Sequence, residues 1–179
     1  RLLAGAGQRR RGSQRVIALP CLPALHVGDD ADCRRVPKFA GTLHAVKYPC
    51  HANATGLPGK GDPRYLAYRV SDAHLTLNMI DPPTPLFSVE LFRRALDFLD
   101  ERLALGPVLI HCNQGLSRAP SLALVYLAKR AKGAPLGGLL NGTYSGFADA
   151  RDEFTRVFPA YAPGAGLVTF LTERWKEIA

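Results

Sequence analysis

Val108-Leu109-Ile110 runs into His111-Cys112-Asn113-Gln114-Gly115-Leu116-Ser117-Arg118, and then into a segment, Pro120 to Ala131, that is apolar around most of its circumference. No other stretch constrains the fold as much. A short strand without a polar residue is buried on both faces of a sheet. A helix apolar all round needs cover on every side. Both demands are met together in a layered domain, with sheet and helices stacked on one core. At 179 residues the chain is long enough for one such domain.

Other segments supply the layers. Val16 to Val27 is apolar but broken by Pro20 and Pro23, an entry strand with turns. Gly28-Asp29-Asp30-Ala31-Asp32 can open a short helix, because Asp at a helix start accepts backbone N–H bonds. Thr42 to Val46 is a short strand, followed by a Gly- and Pro-rich loop from Tyr48 to Arg64 and an apolar stretch, Tyr65 to Val70. Leu75, Leu77 and Met79 alternate with Thr76, Asn78 and Ile80, the period of a strand. Pro82 and Pro83 end it, since proline cannot continue a ladder. Ser88 is placed to cap a helix to about Leu105, with Leu91, Ala95, Leu99 and Leu103 as its buried stripe. Gly106-Pro107 stops that helix. Gly133 to Ser145 is a Gly-rich connection. Phe147 to Val157 and Leu167 to Ile178 read as two closing helices, in which Phe170 and Trp175 are core residues. The fold class expected is α/β.

The net charge is +8, but Arg1, Arg9, Arg10, Arg11 and Arg15 carry five of those charges, and no acidic residue precedes Asp29. The remainder is mildly basic, which suits an anionic substrate and is too weak for a nucleic-acid groove. Gly and Gln interrupt the basic start, so a flexible tail or trimmed terminus over residues 1–16 is expected rather than a transit peptide, with a single domain over 17–179. No apolar run approaches the ~20 residues of a membrane span. Cysteines 21, 33, 50 and 112 show no paired spacing. A disulfide framework is therefore not expected, and Cys21 and Cys33 are read as buried apolar side chains in a reducing compartment, the cytoplasm. Zinc is not expected either: His44, Cys50 and His51 form the only loose cluster, and it lacks a second ligand pair.

The loop between strand and helix carries the chemistry. Backbone N–H groups of a tight loop entering a helix point inward and cradle an anion, and Gly115 permits the angles required. A cysteine facing them, Cys112, is expected to be largely thiolate near neutral pH. Arg118 offers a planar fork for two oxygens of one phosphate.

Cysteine, five residues, then arginine is the signature of the protein tyrosine phosphatase superfamily. With His111, Gly115, Ser117 and the apolar helix in place, the chain resembles its dual-specificity branch. Leu77-Asn78-Met79-Ile80-Asp81, Val108 to Ser121, and Phe158-Pro-Ala-Tyr-Ala-Pro-Gly-Ala-Gly166 with Trp175 look like a bacterial and phage group of that branch, as do His44 to Lys47 and His51. The resemblance covers most of residues 17 to 179. It implies a central mixed sheet flanked by helices and a phosphatase acting through a phosphocysteine on Cys112, with no metal or other cofactor. Arg118 and the amides of Asn113, Gln114, Gly115, Leu116 and Ser117 would hold the phosphate, and His111 would support the loop.

The family takes its general acid from an Asp about thirty residues before the Cys. Asp81 follows a strand and precedes a Pro-containing loop, and it is preferred over Asp72, whose usual fate is a turn. The family places Ser or Thr after the Arg, where this chain has Ala119. Slow breakdown of the intermediate is therefore expected unless Ser117 or Ser121 supplies the hydroxyl. Lys47 and His51 are read as a solvated loop pair beside the mouth. Phosphorylated proteins are the expected substrates. RNA 5′-phosphates and phosphoinositides are alternative substrates for the same loop, and a non-catalytic phosphate-binding module is a further alternative. Oligomeric state is not legible.

Overall fold

The computed structural model describes residues 16–35, 39–131 and 144–179. The basic segment and most of the Gly-rich connection after Ala131 lie outside these residues. The elements run β1 (Ile17–Leu19), β2 (Leu22–Gly28), α1 (Asp30–Arg35), β3 (Gly41–His44), a helical turn Lys47–His51 leading into α2 (Ala52–Thr55), β4 (Ala67–Ser71), β5 (His74–Leu77), α3 (Val89–Leu103), β6 (Val108–His111), α4 (Arg118–Ala131), α5 (Phe147–Val157) and α6 (Ala165–Ile178).

Six strands make one mixed sheet in the order β1-β2-β6-β3-β5-β4. The outer pairs, β1 with β2 and β4 with β5, are antiparallel hairpins; β2, β6, β3 and β5 run parallel. The wholly apolar β6 takes the interior place its sequence demands, with every residue from Val108 to His111 buried. Strand residues alternate between faces. Val108 and Ile110 join the main core, while Leu109 and His111 project from the opposite face. In the parallel register His44 of β3 stands beside His111 of β6. The two imidazoles therefore leave the sheet on that same opposite face.

The main core lies between the sheet and the layer of α3, α4, α5 and α6. In α4, Leu122 to Leu127 are fully buried without interruption, as its all-round apolar sequence requires. Phe92 of α3 stacks on Phe170 of α6 at 5.2 Å, and Trp175 packs beside Phe147. Truncating Phe92 to alanine would cost about 3–5 kcal/mol. Ser88 caps α3 as expected, its Oγ accepting the Leu91 N–H at 3.2 Å. Asp29 opens α1 by accepting from the amides of Ala31 and Asp32.

Two local readings change. The strand expected up to Ile80 ends at Leu77, where the Met79 amide turns back to the Leu77 carbonyl at 2.8 Å and the Met79 carbonyl accepts from the Lys47 amide and Arg118; Thr76 is buried as well, its hydroxyl donating to the Tyr68 carbonyl. The segment beyond leaves the sheet toward the phosphate loop. The Tyr48–Arg64 loop holds helical structure at its start, and His51 there is buried rather than solvated, its ring donating to the Arg64 carbonyl at 2.9 Å.

Candidate active site

Strand β6 ends at His111, and the chain turns at once into residues 113–117 before α4 starts at Arg118. Cys112 is 2 % exposed, and its amide donates to the Gly28 carbonyl at the end of β2 at 3.3 Å. The loop therefore sits at the carboxyl ends of the parallel strands, where open α/β sheets bind ligands. Its tightness rests on Gly115, whose φ of +69° favours glycine; a Cβ there would lie 3.0 Å from the Gly28 carbonyl oxygen. The 14-residue helix α4 aims its N-terminal dipole at the same spot.

Arg118 is buried, and Nη1 donates to the Met79 carbonyl at 2.9 Å while Nη2 donates to Asn113 Oδ1 at 2.5 Å. Its Nε–H is buried and has no partner among the described residues. Asn113 is a hub: its Nδ2 donates to Asp30 Oδ2 at 2.9 Å and to the Tyr48 carbonyl at 3.1 Å. Its side chain thus positions the arginine. The role of Asp30 was not legible, since in the sequence it is one carboxylate among the three that open α1.

Asp81 lines a cavity of about 410 Å³ together with Cys112, Asn113, Gln114, Leu116, Ser117, Arg118, Ala162 and Gly164. Two contacts hold the Asp81 segment there. The Asp81 carboxylate lies against Gly164, where a Cβ would overlap it, and Gly164 donates its amide to Ser117 Oγ at 3.0 Å. Gly166 donates to the Pro82 carbonyl at 3.2 Å and leaves no room for a side chain beside the backbone of Pro82 and Thr84. The Ala162 amide closes the junction on the Leu116 carbonyl at 2.8 Å. Asp72 is elsewhere, in the exposed β4–β5 turn, where its carbonyl accepts from Arg69 and Arg102. A larger cleft of about 530 Å³ beside Phe87, Arg93 and Phe170 contains none of the loop residues.

Of the two hydroxyls near Ala119, Ser121 is sealed and bonded to the Tyr161 phenol at 2.8 Å, whereas Ser117 lines the cavity. Burial raises the Tyr161 pKa, so that phenol is a neutral partner. Lys47 lines a separate cavity with Ile80 and Phe87.

His111 does more than support the loop. Its Nε2 lies 2.7 Å from His44 Nδ1, and His44 Nε2 lies 3.0 Å from His74 Nδ1. Cys33 and Cys50 complete the group, and the ligand atoms of Cys33, His44, Cys50 and His111 all fall within 4.8 Å of one another. The sequence expectation that no full set of metal-type ligands would assemble is thus corrected, as is the reading of Cys33 as apolar filling. The four residues come from α1, β3, the turn after β3 and β6, so no spacing rule could join them. The Cys33 thiol is held well below the usual range, first by the Cys50 thiol donating to it, and Cys50 is pushed up correspondingly.

With this geometry in hand, solved structures give the fold. The phosphatase domain of Yvh1 from Chaetomium thermophilum matches 91 % of this chain and 96 % of its own length, with a TM-score of 0.61 at 17 % identity. The human tyrosine phosphatase-like serine/threonine/tyrosine-interacting protein matches 89 % and 95 %, with a TM-score of 0.59 at 21 % identity. The fold is that of the dual-specificity phosphatases. In sequence, human dual specificity protein phosphatase 26 is 30 % identical over 110 residues, covering 59 % of this chain. The chain spans about half the length of the curated relatives it matches, 48 % in this case. No protein-family model matches. The central mixed sheet and the likeness to the dual-specificity branch expected from the loop are thus borne out. No helix among the described residues is long and apolar enough to cross a membrane.

Proposed function

We propose that this chain hydrolyses phosphate monoesters, phosphotyrosine and phosphoserine or phosphothreonine on proteins first among them, through a phosphocysteine. The observation that carries the reading is a single cavity lined at once by Cys112, Arg118 and Asp81. The Cys112 sulfur attacks phosphorus in line as a thiolate. As the S–P bond forms, the ester O–P bond breaks and Asp81 delivers its proton to the departing oxygen. The buried Arg118 guanidinium and the loop amides of residues 113–118 take the charge on the equatorial oxygens. Water then attacks the phosphocysteine, Asp81 receives the proton, and the thiolate leaves with release of inorganic phosphate. No step calls on a metal or other cofactor.

Further parts of the reading are residues 17–179 as one domain preceded by a basic tail, a place in the bacterial and phage group, and a cytoplasmic setting that suits four free thiols. The test measures phosphate release from phosphopeptides, 5′-phosphorylated RNA and phosphoinositides. Cys112→Ser should abolish turnover, Asp81→Ala should retain bound phosphopeptide, and Asp72→Ala should behave as wild type. Turnover surviving in Cys112→Ser, or lost only in Asp72→Ala, would overturn the assignment. Phosphate binding without release by the wild-type chain would point to a non-catalytic module.

A further inference from the structure

We propose that Cys33, His44, Cys50 and His111 form a binding site for one zinc ion, a structural centre on the face of the sheet behind the phosphate loop. Two thiols and two imidazoles are the ligand set of closed tetrahedral zinc sites, and soft sulfur with imidazole selects zinc over magnesium or calcium. The four ligand atoms converge within 4.8 Å, with both histidines buried. Zinc–nitrogen bonds of about 2.0–2.1 Å and zinc–sulfur bonds of about 2.3 Å give tetrahedral N···S edges of roughly 3.5 Å. Cys33 Sγ lies 3.6 Å from His44 Nδ1, and Cys50 Sγ lies 3.9 Å from His111 Nε2. The His44–His111 nitrogens, 2.7 Å apart, need to part by roughly half an ångström to reach the N···N edge of the same tetrahedron.

The surroundings of the two rings point the same way. Ligating histidines usually turn their second nitrogen to an outer partner that fixes the tautomer. His44 Nε2 has His74 Nδ1 at 3.0 Å, and His111 Nδ1 faces Asp30 Oδ1 at 3.7 Å. Both atoms of that second pair are buried and otherwise unsatisfied. With hydrogens on these outer nitrogens, the inner pair would meet lone pair to lone pair, which a cation between them resolves. Both sulfurs bind as thiolates, and any proton they still carry goes to the buffer. The resulting complex is neutral, so its effect on Cys112, the next residue after His111, is to fix position rather than add charge. Three neighbouring elements and the distant β6 would be tied at one point. The centre stands independently of the proposed hydrolysis.

The test uses the full chain carrying Cys112→Ser, so that the catalytic sulfur offers no rival site. Reduced protein is titrated with zinc against a chromophoric chelator and with cobalt(II) by absorption, and thiol alkylation is mapped by peptide mass. About one equivalent of zinc is expected, with thiolate-to-cobalt charge transfer and metal-dependent protection of Cys33 and Cys50 but not of Cys21. Adding Cys33→Ser and Cys50→Ser should weaken zinc binding by more than about 100-fold. Alkylation mapping needs no such variant, so a failure of the variant to fold leaves the test decisive. Absence of zinc uptake by the reduced chain, metal retained by the double cysteine variant, or a Cys33–Cys50 disulfide formed in place of metal binding would each overturn the proposal.

Discussion

Gly166→Ala isolates the placing of Asp81, the proposed general acid, from the loop proposed to cradle phosphate. Gly166 touches neither Cys112 nor Arg118; it packs on the backbone of Pro82 and Thr84, just after Asp81. A Cβ there would lie 2.7 Å from the Thr84 carbonyl carbon and nearer still to two carbonyl oxygens, against the 3.4 Å at which ordinary contact begins. Backbone cannot rotate away as a side-chain end can, so the Asp81 segment must retreat by about 1 Å, a displacement that can cost ~100-fold in rate. The helix itself offers little resistance, since alanine is a good helix former and Gly166 stands in the first turn of α6. Losing the acid altogether, as in Asp81→Asn, should cost ~10²–10⁴-fold. We therefore expect Gly166→Ala to lower kcat about 100-fold on an alkyl phosphate, whose leaving oxygen needs a proton. On an aryl phosphate with an electron-poor phenol the loss should be much smaller. Phosphate inhibition should be unchanged because the cradle is untouched. In the double variant with Asp81→Asn the losses should not add, since both remove one interaction. Additive losses, or an equal drop on both substrates, would refute the role assigned to this contact.

Gly115→Ala should destabilise by about 1–3 kcal/mol, read from denaturant midpoints, because it forces a side chain into positive φ against the Gly28 carbonyl; phosphate affinity should fall with it. Ala119→Ser should speed phosphocysteine breakdown about tenfold and shrink the burst in stopped-flow assays, while Ser117→Ala should slow it; an unchanged burst in both would remove the hydroxyl from the mechanism. Stability should decline in alkali. Burial, then the Asp100 carboxylate, pushes the Tyr126 pKa up to about 12, and burial also raises those of Tyr144 and Tyr161. Their contribution is complete below pH 10, the value for a free phenol, and is lost as pH rises through about 12. Phenolate absorbance and loss of helix should therefore appear together in an alkaline titration.

The parts of this molecule that were legible in the sequence are those governed by neighbours along the chain. The apolar β6, the all-round apolar α4 and the Ser88 cap each follow from periodicity or a single local bond. So does the loop, since Cys112, Gly115 and Arg118 belong to one turn. Asp81, preferred over Asp72 for its place before two prolines, does line the cavity of Cys112 and Arg118. The end of β5 was misplaced because apolar alternation continues through Met79, while the backbone bonds that turn the chain there leave no side-chain signal. The buried state of His51 was hidden because its partner, the Arg64 carbonyl, is a backbone group with no side-chain signal. Gly164 and Gly166 stood out in the sequence only as part of a resemblance. Their physical task, making room for the Asp81 segment, exists only once α6 has docked.

The same limit explains why the cluster behind the loop escaped notice, and it shows how the two sites are joined. Asp30 presents one carboxylate oxygen to Asn113, which grips Arg118 Nη2, and turns the other toward His111. The guanidinium is therefore set from two directions, by Met79 on the side of Asp81 and by Asp30, through Asn113, on the side of the Cys33–His44–Cys50–His111 group. Each link is a hydrogen bond or a facing pair, all but the Asn113–Arg118 bond between residues far apart in the chain, and each acts on where Arg118 sits rather than on the sulfur. Loosening the cluster should thus be felt first as weaker phosphate binding, a rise in KM and in the phosphate inhibition constant. By contrast, loosening the Asp81 segment should be felt in kcat. If Asp30→Asn lowered kcat while leaving phosphate affinity intact, the chain of contacts from the cluster to the arginine would not be what orients it.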